Sequence, residues 1–92
     1  MHVSYTRRFQ DEFDALPSAR QQATVEAIQD FLQRVASQQP MGAGLGLKKY
    51  GKDYWEIRST LSDRILFEWG NDEVIFRFVG SHDELRKFVR GN

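Results

Sequence analysis

Residues 54–79 read YWEIRSTLSDRILFEWGNDEVIFRFV, and the spacing of their apolar side chains decides the fold. Trp55 and Ile57 alternate with Tyr54, Glu56 and Arg58. Ile65, Phe67 and Trp69 alternate with Arg64, Leu66 and Glu68, and Val74, Phe76 and Phe78 alternate with Ile75, Arg77 and Val79. A period of two marks a strand with one face buried, so the stretch predicts three consecutive strands in an antiparallel meander. Pairing parity then decides which residues share a face, because a slip of one residue would bury charges. Keeping Trp55 and Ile57 on the face of Ile65 and Phe67 requires an odd-length loop around Leu61, which sets Arg58 opposite Arg64. Gly70-Asn71, flanked by Trp69 and Asp72, fits a type II′ hairpin turn, which takes glycine first. That register sets Phe67 against Val74, Ile65 against Phe76 and Arg64 against Arg77. The expected result is a row of arginines, Arg58, Arg64 and Arg77, on the sheet face away from the helices, with apolar Leu66, Ile75 and Val79 beside them for a partner peptide to cover.

Working outward, the period changes to that of helices. Val3 and Tyr5 alternate with polar neighbours in a short first strand, His2–Tyr5. Phe9, Phe13 and Leu16 follow at spacings of four and three, one face of a short helix that Pro17 ends. Ser18 with Gln21 reads as a capping box opening a second helix, whose stripe Val25, Ile28, Leu32 and Val35 runs to about Ala36. Arg20 on that helix reads as an exposed residue. Gln38–Gly46, with Pro40 and its glycines, reads as a mobile connection. Ser81 and Glu84 form another capping box, with Leu85, Phe88 and Val89 behind it, so a short helix ends the pattern. The expected order is βααβββα, an α+β domain over residues 1–92 with a helical hairpin on one face of the sheet.

Composition agrees. The chain has 92 residues, 40% of them hydrophobic, with seven Phe and two Trp, enough for one core without staples. It has no cysteine, so neither disulfides nor a thiolate metal site can form, and a cytoplasmic location is the plain reading. With two histidines far apart, no metal or cofactor is expected. No apolar run is long enough to span a membrane, and no Gly-rich phosphate loop or hydrolase elbow occurs. Thirteen Lys and Arg balance thirteen Asp and Glu, so binding of nucleic acid has to rest on a local patch rather than a global field.

Opposed like charges destabilise a sheet by about 0.2–1 kcal/mol per pair, so a row of arginines suggests an anion held among them. The alternative is a charge lattice in which Glu56, Glu68 and Glu73 neutralise each guanidinium. Cutting RNA without a metal requires a base for the 2′-hydroxyl, cations for the phosphate and an acid for the leaving oxygen. Arginine suits the cation because its planar fork grips phosphate oxygens. His82, at the start of the last helix, stands at the lip of the arginine face as an acid or base, or is simply an exposed helix-start residue. Glu56 shares the arginine face as a base or as a salt-bridge partner. Lys48, Lys49 and Lys52 cluster before the second strand and can hold a phosphate backbone. Tyr50 and Tyr54, between them, can stack on bases or merely cover an edge.

This pattern resembles the RelE/ParE toxin superfamily across nearly the whole chain. The segments that carry the resemblance are Tyr54-Trp-Glu-Ile-Arg-Ser, Asp63-Arg-Ile-Leu-Phe and Val79-Gly-Ser-His-Asp-Glu-Leu, the last similar to the RelE-like branch that includes the YafQ toxins. The resemblance implies the toxin of a type II toxin-antitoxin pair, a ribosome-dependent mRNA endonuclease held inactive by a co-expressed antitoxin. The ParE branch implies a gyrase inhibitor instead. By position, Arg64 matches the family's third-strand arginine, Arg58 a second-strand basic residue, and His82 the catalytic histidine or arginine. Lys48 and Lys49 lie near a region that supplies further basic residues. Glu56 stands where some members carry Lys or His. The implied partners are an antitoxin and mRNA on the ribosome.

Overall fold

The computed structural model describes residues 1–91. The chain runs β1 (His2–Tyr5), α1 (Arg7–Asp14), α2 (Ser18–Ala36), a 3-10 turn (Ala43–Leu45), β2 (Lys48–Tyr50), β3 (Tyr54–Arg58), β4 (Asp63–Trp69), β5 (Glu73–Ser81) and α3 (His82–Arg90). The strands form one mixed sheet in the order β1-β5-β4-β3-β2, with β1 parallel to β5 and the other pairs antiparallel. The expected α+β order therefore gains one strand, β2. Its residues Lys48 and Lys49 are exposed, as suits an edge strand, so no alternation announces it. No helix among the described residues is long and apolar enough to cross a membrane.

Local chemistry sets the helix ends. The Thr6 hydroxyl accepts from Phe9 N at 3.1 Å and starts α1. At α2 the expected Ser18–Gln21 capping box is absent. Pro17 is the residue before the helix, with no side-chain cap, and Gln21 Nε2 instead donates to Phe13 O at 2.9 Å, tying the two helices together. The capping box of Ser81 and Glu84 is present at α3.

The main core lies between the α1–α2 hairpin and the sheet, around Phe9, Ile28, Phe31, Ile57, Ile65, Phe67, Val74, Phe76 and Val79. The buried face of α2 is rotated from the expected stripe: Thr24, Ala27, Ile28 and Phe31 are buried, whereas Val25 is 37% exposed. The large Phe31 ring decides this, packing 4.8 Å from Phe67 and 5.1 Å from Trp69 between ring centres. Thr24 can be buried because its hydroxyl donates to Arg20 O within its own helix. On the opposite sheet face α3 covers a smaller cluster of Leu66, Phe78 and Leu85. The chain's own last helix thus covers Leu66, where a partner peptide was expected.

The two β4 hairpins differ in register. Across β3 and β4 the expected pairing holds, with Ile57 opposite Ile65 and Arg58 opposite Arg64, an odd number of residues lying between that last pair. Across β4 and β5 it does not. Trp69 pairs with Val74, and Gly70 N donates to Glu73 O, so the turn spans Gly70–Glu73 rather than Gly70-Asn71 alone. A bulge then falls between Leu66 and Phe67. Phe67 faces Phe76, Leu66 faces Phe78, and Arg77 is the extra residue. The bulge changes the parity of everything beyond it. Val79 turns into the main core, and Arg64 faces Gly80, not Arg77.

Candidate functional site

The cleft at the β3–β4 end of the sheet is lined by Gly46, Leu47, Lys48, Glu56, Arg58, Arg64 and His82 and encloses about 370 Å³. Three elements build it. β3 and β4 present Arg58 and Arg64 side by side because they are Cα partners. β2, antiparallel to β3, brings Lys48 opposite Glu56. α3 begins at His82, whose backbone N–H donates to Ser62 O at 3.0 Å and fastens the helix start to the β3–β4 loop.

Beneath the cations lies Glu56, only 1% exposed. Lys48 Nζ stands 3.3 Å from its Oε1 and Arg64 Nε 3.8 Å from its Oε2. Neither carboxylate oxygen has a hydrogen bond of good geometry among the described residues, so its charge is balanced by proximity rather than by bonding. Arg64 is further held by Leu61 O and Asp63 O, at 3.1 and 3.0 Å from Nη1. Among the described residues Arg58 makes no ion pair. The cleft therefore carries three cations over one carboxylate, with an imidazole on the rim. Such a site can hold an anion bidentately and offers two groups able to move a proton.

The row of three arginines is corrected to a pair. Arg77 is the extra residue at the bulge, where its guanidinium is ion-paired with Glu68, and it does not line the cleft. Lys49 also points elsewhere: its ammonium sits 4.9 Å over the Trp55 ring, on the other face of the edge hairpin. Lys52 is exposed at the β2–β3 turn and outside the cleft lining. Tyr54 packs with Tyr50 against the cluster of Leu66, Phe78 and Leu85, so its body serves as cover. His2 is exposed on the far edge strand.

Two features went unread in the sequence. One is Gly46, whose backbone underlies Arg58; it sits in the run Gly42-Ala-Gly-Leu-Gly, which is more than a flexible connection because Leu45 is buried in the core. The other is the support behind the cleft. Arg20 Nε and Nη2 each approach an oxygen of Asp63 at 2.8 Å, and Asp63 is almost fully buried. Arg20, with 40% of its side chain exposed, is thus a strut as well as a surface residue, and its guanidinium is held above its ordinary pKa chiefly by the hydrogen bond to Asp63.

No protein-family model matches the chain, and no curated protein matches its sequence. Solved structures do match. A chain of the RelB-RelE antitoxin-toxin complex from Methanococcus jannaschii superposes with a TM-score of 0.70 at 20% identity, over 94% of this chain and 98% of that one. The E. coli DinJ-YafQ complex gives 0.70 at 11% identity, over 90% and 94%. The YoeB dimer from Staphylococcus aureus gives 0.67 at 9%, over 89% and 97%. The class this defines is the small α+β fold of RelE-type toxins. At such identities the likeness establishes the fold that this chain shares with RelE, YafQ and YoeB.

Proposed function

We infer that this chain is the toxin of a type II toxin-antitoxin pair and that it cuts mRNA on the ribosome. The observation that carries the reading is the cleft itself, where Arg58, Arg64 and Lys48 crowd around a buried carboxylate beside His82. In the reaction this supports, the scissile phosphate lies against Arg58 and Arg64. A base removes the 2′-hydroxyl proton, the 2′-oxygen attacks phosphorus, and the bond to the 5′-oxygen breaks as that oxygen receives a proton. Glu56, an acceptor beneath the phosphate, suits the base. His82 on the rim suits the acid. The guanidiniums hold the charge that gathers on the non-bridging oxygens. The fold's likeness to toxins solved with antitoxins supports an antitoxin as partner here.

Neutral net charge gives the chain no long-range attraction to RNA, which fits a reading in which the ribosome presents the message. Induced expression tests the reading: translation should stop before DNA synthesis, with mRNA cut. Arrest of DNA synthesis first, with mRNA intact, would replace it with gyrase inhibition.

A further inference from the structure

We propose that Gly46 is a positioning residue: its bare Cα is the surface against which the Arg58 guanidinium rests, and this packing aims Arg58 into the cleft. The inference rests on the cleft being the RNA site for its effect on rate, but not for its geometry.

Gly46 ends the 3-10 turn at φ 58 and ψ 37, a left-handed conformation that suits glycine, and its N–H donates to Ala43 O at 3.2 Å. A Cβ at this position would stand 2.9 Å from Nη2 and 3.0 Å from Cζ of Arg58, and closer still to Nε. Any side chain must therefore push the guanidinium away. Gly51 provides the internal comparison, because it has φ 71 but nothing within 4 Å of where a Cβ would lie. Both glycines meet the same backbone demand, and only Gly46 meets the steric one.

Arg58 is the cleft cation for which such packing matters. Lys48 and Arg64 are drawn towards Glu56, whereas Arg58 makes no ion pair among the described residues, so packing sets its direction. It also borders two neighbouring depressions beside Ser59, which give the guanidinium room to swing out of the cleft. Displacing the far end of a flexible side chain disturbs the fold little. It removes a cation from where charge develops.

The test uses the full chain and Gly46→Ala, Gly51→Ala, Arg58→Ala and the Gly46→Ala/Arg58→Ala double variant. The Arg58 Nε–Hε resonance, assigned by its loss in Arg58→Ala, is followed with and without inorganic phosphate. Gly46→Ala should move this resonance and weaken its response to phosphate, while Gly51→Ala leaves both as in the parent chain. On translating ribosomes, Gly46→Ala should lose up to about a hundredfold in mRNA cleavage, as a small misplacement can. It should add no loss to Arg58→Ala, since both act through one group. An unmoved resonance in Gly46→Ala, an equal shift in Gly51→Ala, or losses that add would each overturn the inference. A parent chain that cuts no mRNA refutes the nuclease reading instead, and the resonance still decides for or against Gly46. If Gly46→Ala does not fold, the double variant, which keeps the backbone strain but lacks the clash, should fold as Gly51→Ala does. A double variant that is also unfolded overturns the proposal.

Discussion

Arg58 and Arg77 occupy similar places in sequence, each outward-facing on a strand next to β4, yet their surroundings are opposite. Arg58 stands opposite Arg64 across a regular hairpin and has no acidic partner among the described residues. Arg77 is the extra residue of a bulge and is neutralised by Glu68. On the proposed reading, the difference separates a guanidinium placed to bind an anion from one that only pairs. A like charge opposite costs roughly 0.2–1 kcal/mol and persists when something else uses the field. A charge with a partner beside it is surface chemistry worth at most about 1 kcal/mol.

The largest effect expected at the Arg58 end concerns its support. Arg20→Ala leaves the buried Asp63 carboxylate without its cation; because solvent reaches the Arg20 side of the pair, the loss should be about 1–2 kcal/mol, read from the denaturant midpoint. An unchanged midpoint would mean that Asp63 does not anchor the start of β4. Next, Ser81→Ala removes the hydroxyl that accepts from Glu84 N at 3.1 Å and should cost about 1 kcal/mol. That corresponds to a melting temperature lower by about 5 °C in a chain of this size. At the other end, Arg77→Ala should change stability by less than about 0.5 kcal/mol and leave mRNA cleavage as it was. A marked loss of cleavage would restore Arg77 to the site.

The smallest effect is a pH dependence. Burial raises the Glu12 pKa above its ordinary 4.5, against the lowering pull of hydrogen bonds from Arg8 and Val79 N. The folded chain therefore holds that proton more tightly than the unfolded one, and stability falls as pH rises through the window just above 4.5. Glu12→Gln has no such proton to lose, so the difference between variant and parent should drift in the variant's favour from acid to neutral pH. Solvent reaches the group, so this drift is the smallest of the expected effects. A flat difference across that range would contradict the assignment.

Much of the fold was legible because alternation is a strong signal where nothing interrupts it. Trp55 to Phe67 gave the β3–β4 register and hence the Arg58–Arg64 pair. The pattern misled at β5, where one residue of bulge reverses every later face. Phe78 and Val79 are adjacent apolar residues, both buried, but so are Leu66 and Phe67, so the sequence itself does not mark the bulge. β2 was hidden because edge strands carry charge. The stripe on α2 was misplaced because spacing does not weigh side-chain size, and Phe31 outweighs Val25. In the site, His82, Glu56 and Arg64 could be read from strand ends and parity. Gly46 could not, because its role depends on a side chain that approaches from twelve residues further along the chain.

The central claim is that the cleft cations, and not the outward arginines at large, act on RNA. Arg58→Ala is the cleanest probe, since Arg64→Ala would also strip a cation from the buried Glu56. Cleavage of mRNA on translating ribosomes should be measured for Arg58→Ala beside Arg77→Ala and Arg7→Ala, whose arginine pairs with exposed Asp11 on α1. The account predicts a loss of about a hundredfold or more for Arg58→Ala alone, with unfolding unchanged within about 0.5 kcal/mol. Cleavage by Arg58→Ala at the parent rate would contradict it.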